Sequence, residues 1–228
     1  MNIAFIPVRG GSKSIPLKNI KLLNGKPLVY WTALAAESAK CIDKLIIATD
    51  SYEIKQTVLG FGFNKLEVYD REQANAGDTS STESVMLEYI NKTNLRDNDL
   101  FFLIQATSPM LKSQHIDEMY NKFIQNNSDS MFTGVLEKQF HWKAVRENIQ
   151  ESIVPVNYDY RNRPRRQDFI GLVAENGACY INSIGNIKRD KCRLSGKITA
   201  YELPSYMSYE IDEPIDWIIV EELMQKLL

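Results

Sequence analysis

Three short runs of this sequence carry almost no polar side chains: residues 3–8 (IAFIPV), 45–49 (LIIAT) and 100–105 (LFFLIQ). A strand with one wet face alternates apolar and polar residues, so runs without alternation describe strands covered on both faces. Segments of helical length lie between them. Residues 27–38 open on Pro27, which suits a helix's first turn, and continue with helix formers. Asp50 with Glu53, and Ser80 with Glu83, have the spacing at which two side chains cap a helix start reciprocally. The second pair precedes an apolar run to Ile90, residues 66–69 read as a shorter strand, and 113–124 read as a helix. This alternation predicts an α/β fold: a mostly parallel sheet built from βαβ units, with helices on both faces.

The rhythm breaks after Val135. Residues 137–172 are polar and aromatic, crowd Arg161, Arg163, Arg165 and Arg166 together, and show no βα period. They read as an excursion from the domain, with 139–172 its main part. Strand patterns return at 178–182 and 198–203, and a helix at 215–227. A chain of 228 residues suffices for one domain carrying such an excursion. There are no internal repeats and no low-complexity linker.

The formal net charge of -2 excludes a global basic field of the kind that draws proteins to nucleic acid or acidic lipid. The apolar start is too short for a signal segment or a membrane span. The three cysteines form no CxxC pair, and the two histidines stand alone. Zinc clusters are therefore disfavoured, and a reducing, cytoplasmic setting is expected.

In doubly wound sheets ligands sit beyond the carboxyl ends of the strands, which directs attention to the loops after Val8, Thr49, Tyr69 and Gln105. The first is Arg9-Gly10-Gly11-Ser12-Lys13-Ser14-Ile15-Pro16-Leu17-Lys18-Asn19. Adjacent glycines let backbone approach a ligand, and nearby cations suit polyphosphate. The spacing fits neither the Walker A nor the GxGxxG pattern, which removes P-loop ATPases and nicotinamide enzymes. Hydroxyl-rich Asp78-Thr79-Ser80-Ser81-Thr82 opens a helix, and Gln105-Ala106-Thr107-Ser108-Pro109 ends the central strand, read either as a turn after it or as placing a polar side chain toward the crevice. Glu210 and Asp212 stand two residues apart. On an extended segment they share one face and can hold a divalent cation; otherwise the acidic residues here decorate the last helix's N-terminus, with Pro214 in its first turn. The arginine cluster reads either as a solvated face or as forked recognition of carboxylate or phosphate.

Seven segments in order resemble the acylneuraminate cytidylyltransferases, in a form closer to the animal-type branch. They are residues 9–20 just quoted, Ala48-Thr49-Asp50, DTSS at 78–81, IQATSP at 104–109, RPRRQD at 163–168, ENGACYI at 175–181 and Glu210-Ile211-Asp212. The resemblance implies an α/β nucleotidyltransferase fold of Rossmann-like type and a homodimer, or a dimer of dimers, in which the excursion reaches the partner's sugar site. It implies that CTP and a nonulosonic (sialic) acid, such as N-acetylneuraminate or its deaminated counterpart KDN, react with Mg²⁺ to give the CMP-sugar and pyrophosphate. Arg9, Ser12, Lys13 and Lys18 would grip the phosphates, with Asn19 beside them and Arg9, Lys13 and Lys18 catalytic. Arg71, Ser81 and Thr82 would lie along the nucleotide. Gln105, Lys143, Arg165, Asn176 and Tyr180 would face the sugar, and Asp212 with Glu210 would bind the metal. Two departures stand out. The family's metal motif is Asp-Ile-Asp where this chain begins with Glu210, and Ala174 stands where the common bacterial form has an arginine. Arg165 is expected to supply that missing cation. The alternatives are a 3-deoxy-octulosonate cytidylyltransferase and a catalytically silent nucleotide-binding protein.

Overall fold

The computed structural model describes residues 1–72, 75, 77, 80–145 and 152–227. In chain order, β1 (Asn2–Val8) leads through the glycine loop to a small ribbon of β2 (Leu22–Leu23) and β3 (Lys26–Pro27), then to α1 (Leu28–Ser38). β4 (Lys44–Thr49), α2 (Tyr52–Leu59), β5 (Leu66–Asp70), α3 (Thr82–Asn91), β6 (Leu100–Ile104), α4 (Ser113–Gln125) and β7 (Ser130–Glu137) follow. The excursion carries β8 (Trp142–Ala144) and β9 (Ile153–Pro155), and the chain finishes with β10 (Leu172–Ser183), α5 (Ile184–Asp190), β11 (Ile198–Glu202) and α6 (Pro214–Leu227).

Seven strands form one sheet in the order β11-β7-β10-β6-β1-β4-β5. The three apolar runs sit side by side at its centre, with β1 parallel to both β4 and β6. Successive side chains of these strands enter opposite cores. Ala4 and Ile6 of β1 and Phe102 and Ile104 of β6 pack with Leu28 and Val29 of α1, Ile54 of α2, Ile116 of α4 and Val220 of α6. Ile3, Phe5, Phe101 and Leu103 pack on the other side with Val85 and Tyr89 of α3 and Ile187 of α5. Helices therefore cover both faces, which is why the strands tolerate no polar alternation. The Phe5 ring lies 5.1 Å from Phe101 and 5.3 Å from Tyr89, and burial of each such side chain is worth about 1.5–3 kcal/mol.

Several local expectations need correction. The strand read at 178–182 extends over residues 172–183 and runs antiparallel to both neighbours, β6 and β7, with a bulge between Glu175 and Tyr180. A doubly buried strand has the same composition in either direction, so its sense was not readable. The cap of α2 is Ser51, whose hydroxyl accepts from the Ile54 N–H, and that of α3 is Ser81, which accepts from Ser84 N–H. Asp50 is thereby released for another task, described below. Pro27 precedes the first turn of α1 rather than entering it. Residue 172 belongs to the sheet, where it pairs with Glu137, so the excursion ends one residue earlier than expected.

The excursion itself is a hairpin of two three-residue strands beside an aromatic cluster. Phe140 sits 4.3 Å from Tyr158 and 5.0 Å from Phe169, with the Arg163 guanidinium 4.5 Å from its centroid. Ile153, Val154, Val156 and Ile170 are nevertheless exposed.

Candidate active site

The carboxyl ends of β1, β4, β5 and β6 deliver Arg9, Asp50, Arg71 and Gln105 to one crevice. The loop after β1 is fastened from within. Gly10 N–H donates to Asp50 Oδ1 at 3.0 Å, and a Cβ on Gly10 would stand 3.0 Å from Ser51 Cβ, so any larger residue here would crowd Ser51. Asn19 Nδ2 donates to the Arg9 carbonyl at 3.0 Å. Leu17 adopts a left-handed conformation (φ 48°), a cost of about 1–2 kcal/mol that this loop bears while turning Lys18 inward. Lys18 Nζ then reaches the Ile211 carbonyl at 2.8 Å and Asp212 Oδ1 at 3.1 Å. Ser14 Oγ donates to the Asp212 carbonyl, and Ile211 N–H donates to the Thr107 carbonyl at 2.9 Å. Three segments distant in sequence are thus joined at one point.

Two cavities open there. The first, about 410 Å³, is lined by Arg9, Ser12, Lys18, Asn19, Arg71, Ser81, Thr82, Gln105 and Thr107, among others. Nearly the whole expected nucleotide set is brought together, with the N-terminus of α3 on its wall. Lys13 is exposed on the same loop, outside this lining, and Asp78 and Thr79 lie outside the described residues. Arg71 is the most telling member. One Nη donates to the Asn75 carbonyl, while its buried Nε has no hydrogen-bond partner among the described residues. Burial lowers its pKa, so the charge there gains from an incoming anion.

The second cavity, about 370 Å³, shares Gln105 and Thr107 with the first and adds Glu175, Gly177, Tyr180, Arg193, Glu210 and Asp212. Between Glu210 and Asp212, the Ile211 side chain is fully buried in the core, while the two flanking carboxylates line the cavity. Burial, and then the charges of Asp212 and Glu175, push Glu210 up to about 7, although Lys18 opposes the shift. Carboxylates gathered in this way favour a cation. Among the described residues no group of three or more His, Cys, Asp or Glu side chains is arranged to enclose a metal. Glu210 and Asp212 offer two carboxylate groups, the oxygen donors that hard ions such as Mg²⁺ take alongside water.

Gly177 lies beneath this pair at φ 67°, and a Cβ there would come within 2.7 Å of Glu210 Oε1 and 2.8 Å of Oε2. Gly177→Ala is expected to destabilise the fold by roughly 1–3 kcal/mol through backbone strain, and to displace Glu210. A denaturant titration alongside a turnover assay checks this; unchanged stability and turnover would remove Gly177 from the site's framework.

The remaining expected sugar contacts divide. Gln105 and Tyr180 line the second cavity, and the Tyr180 hydroxyl donates to Glu175. Asn176 is buried and spends its amide on the Met207 carbonyl at 2.9 Å, which shapes the turn holding Gly177 rather than presenting a donor to the cavity. Lys143 is exposed on β8, and Arg165 is exposed on the excursion, where its Nε donates to Asp168 at 2.6 Å. Neither is among the residues lining the two cavities within this chain. Sequence reasoning missed Arg193 and Thr107. A larger groove of about 610 Å³ lies between α1 and α4 and includes Cys41, whose thiol pKa burial pushes up. It contains none of these loops.

A glycine loop and cationic crevice at the strand ends of an α/β sheet, beside a carboxylate-lined cavity, define the nucleotidyltransferase class of sites. The chain belongs to the cytidylyltransferase family, whose model matches residues 3–170. It is 36% identical over 219 residues to N-acylneuraminate cytidylyltransferase A of Danio rerio, covering 96% of this chain and 50% of that one. It is 29% identical over 221 residues to the N-acylneuraminate cytidylyltransferase of Streptococcus agalactiae serotype V, covering 96% and 52%. The chain thus spans about half the length of the curated relatives it matches. Among solved structures, CMP:2-keto-3-deoxy-manno-octonic acid synthetase complexed with CTP superposes with a TM-score of 0.69 at 19% identity, covering 100% of this chain and 99% of that one. The 2-C-methyl-D-erythritol 4-phosphate cytidylyltransferase of Francisella tularensis gives 0.68 at 17% identity, covering 100% and 99%. These likenesses are of fold.

Proposed function

We propose that this chain transfers the cytidylyl group of CTP to the anomeric hydroxyl of a nonulosonic acid, releasing pyrophosphate. The observation that carries this reading is the pair of cavities meeting at Gln105 and Thr107, with Lys18 reaching the segment that bears Asp212. The cationic cavity suits CTP, and the neighbouring one suits a polar sugar. Their shared wall is where the attacking oxygen and the α-phosphate would meet. No covalent intermediate is needed, because holding both reactants in line supplies much of the acceleration. Arg9, Lys18 and Arg71 offset the phosphate charge, Ser81 and Thr82 offer hydroxyls to the nucleotide, and Gln105 orients the sugar. Lys13, on the same loop, is assigned to the outer phosphates. A Mg²⁺ ion held by Glu210 and Asp212 would offset charge on the phosphate oxygens. The reading is tested by pyrophosphate release with CTP and a panel of N-acetylneuraminate, KDN, legionaminate and 3-deoxy-octulosonate. A nine-carbon acid is expected to give the highest kcat/KM. Preference for the eight-carbon acid would favour the octulosonate alternative, and no release with any sugar would support a silent nucleotide-binding protein.

Lys143 and Arg165 are assigned to the sugar site of a second copy, reached by the excursion. A two-stranded hairpin is marginal by itself, and this one exposes Ile153, Val154 and Val156. Light scattering is expected to give the mass of at least two chains; an active monomer would contradict the assignment. The described cysteines are free thiols, and no helix among the described residues is long and apolar enough to cross a membrane. The free thiols suit the reducing, cytoplasmic setting expected from the cysteine pattern.

A further inference from the structure

Arg193 is the single cation among the described residues lining the second cavity, against three carboxylates, Glu175, Glu210 and Asp212. It sits just after α5, outside every motif of the sequence, and is held from two sides. Its Nε donates to Glu83 Oε1 at 2.6 Å, with both side chains about three-quarters covered, and its guanidinium carbon lies 5.0 Å from the Tyr180 ring centroid. Glu83 is its one carboxylate partner among the described residues. A guanidinium has five donors in a planar fork; Arg193 spends Nε on Glu83 and also interacts with the Tyr180 hydroxyl, which leaves donors of the fork for a further acceptor. Any anionic substituent entering this cavity meets the carboxylate not assigned to the proposed metal, Glu175, and one opposite charge carried by a side chain, Arg193. It must be recognised at that opposite charge or be strongly disfavoured.

We infer that Arg193 is this chain's own recognition residue for the carboxylate of the acid sugar, with Glu83 and Tyr180 fixing its orientation. The inference rests on the proposed cytidylyl transfer to such a sugar and deepens it. It also fills the place left by Ala174 from within the same chain, whereas Arg165 is engaged with Asp168 on the exposed excursion. Glu83 lies in the first turn of α3, directly after Ser81 and Thr82 of the nucleotide cavity. The pair therefore ties the sugar-side cation to the element that carries the nucleotide's hydroxyl contacts.

The experiment uses the whole chain, with steady-state titrations of CTP and of the preferred sugar acid for the wild type, Arg193→Gln and Arg193→Lys. The sugar acid and its carboxylate methyl ester are then compared as competing ligands of each protein. Arg193→Gln is expected to raise the sugar KM by about 10- to 100-fold with CTP KM changed less than about twofold, and to erase the preference for acid over ester. Arg193→Lys, which keeps the charge but not the fork, is expected to fall between the two. An unchanged sugar KM in Arg193→Gln would overturn the inference. So would equal weakening of acid and ester, which is what a merely structural arginine gives. If Arg193→Gln fails to fold, Arg193→Lys decides by the same acid-to-ester ratio. Wild-type turnover is read first: if no sugar acid is consumed, the proposed function itself has failed and this assignment falls with it, whereas an active wild type with an indifferent Arg193 overturns the assignment alone.

Discussion

Lys18→Ala is expected to lower kcat by about 10²- to 10³-fold, the loss typical of removing one preorganised group that stabilises developing charge. Lys18 is well placed for such an effect. Its side chain is 13% exposed, and its ammonium group lies between the phosphate loop and the segment bearing Asp212. In the proposed reaction, negative charge would grow on the departing pyrophosphate, and Lys18 lines the cavity assigned to those phosphates. The alanine variant also loses the bonds to the Ile211 carbonyl and Asp212, so circular dichroism and thermal unfolding must accompany the kinetics. Near-normal turnover at saturating CTP would remove Lys18 from the reacting centre and leave it a fastening between two loops.

Chelation is expected to abolish turnover, with Mg²⁺ restoring it and Mn²⁺, which accepts the same oxygen ligands, restoring part. Asp212→Asn is expected to cost about 3 kcal/mol in the barrier, or about 10²-fold in rate, because it removes one of the two carboxylates available to the ion. Asp212 is largely exposed while Glu210 is pressed against Gly177. The longer glutamate at the first position of the motif therefore lies deep in the cavity, and Asp212 sits at its mouth beside Lys18. The measurement is pyrophosphate release in EDTA, then across a titration of each metal. Full activity in EDTA would defeat the metal assignment, and full activity of Asp212→Asn would shift the site elsewhere.

The sheet's centre was legible because β1, β4 and β6 are covered on both faces, and only uninterrupted apolar runs survive there. Strand direction was not legible: β10 has the same buried residues whichever way it runs, and only the fold shows it antiparallel between β6 and β7. Caps were misplaced by one residue where two hydrophilic side chains stand together. Asp50 looked like a cap and instead holds Gly10, leaving Ser51 to the helix. The nucleotide cavity was readable because its residues follow consecutive strand ends. The sugar side was less so. Asn176 has the chemistry of a sugar contact but spends it inside the protein, and Arg193 carries no motif at all. The available signal for it was weak: a lone arginine in a loop feeding back toward the strand ends, with no acidic neighbour in sequence closer than Asp190 to occupy it.

The most direct measurement follows the oxygen that attacks. A nonulosonic acid labelled with ¹⁸O at the anomeric hydroxyl is incubated with CTP and Mg²⁺, and the nucleotide product is examined by mass spectrometry and ³¹P NMR. Transfer in line to that hydroxyl predicts one labelled oxygen bridging phosphorus and the anomeric carbon, with unlabelled pyrophosphate released in equal amount. Unlabelled CMP-sugar, or CMP and pyrophosphate formed without a sugar conjugate, would contradict the account.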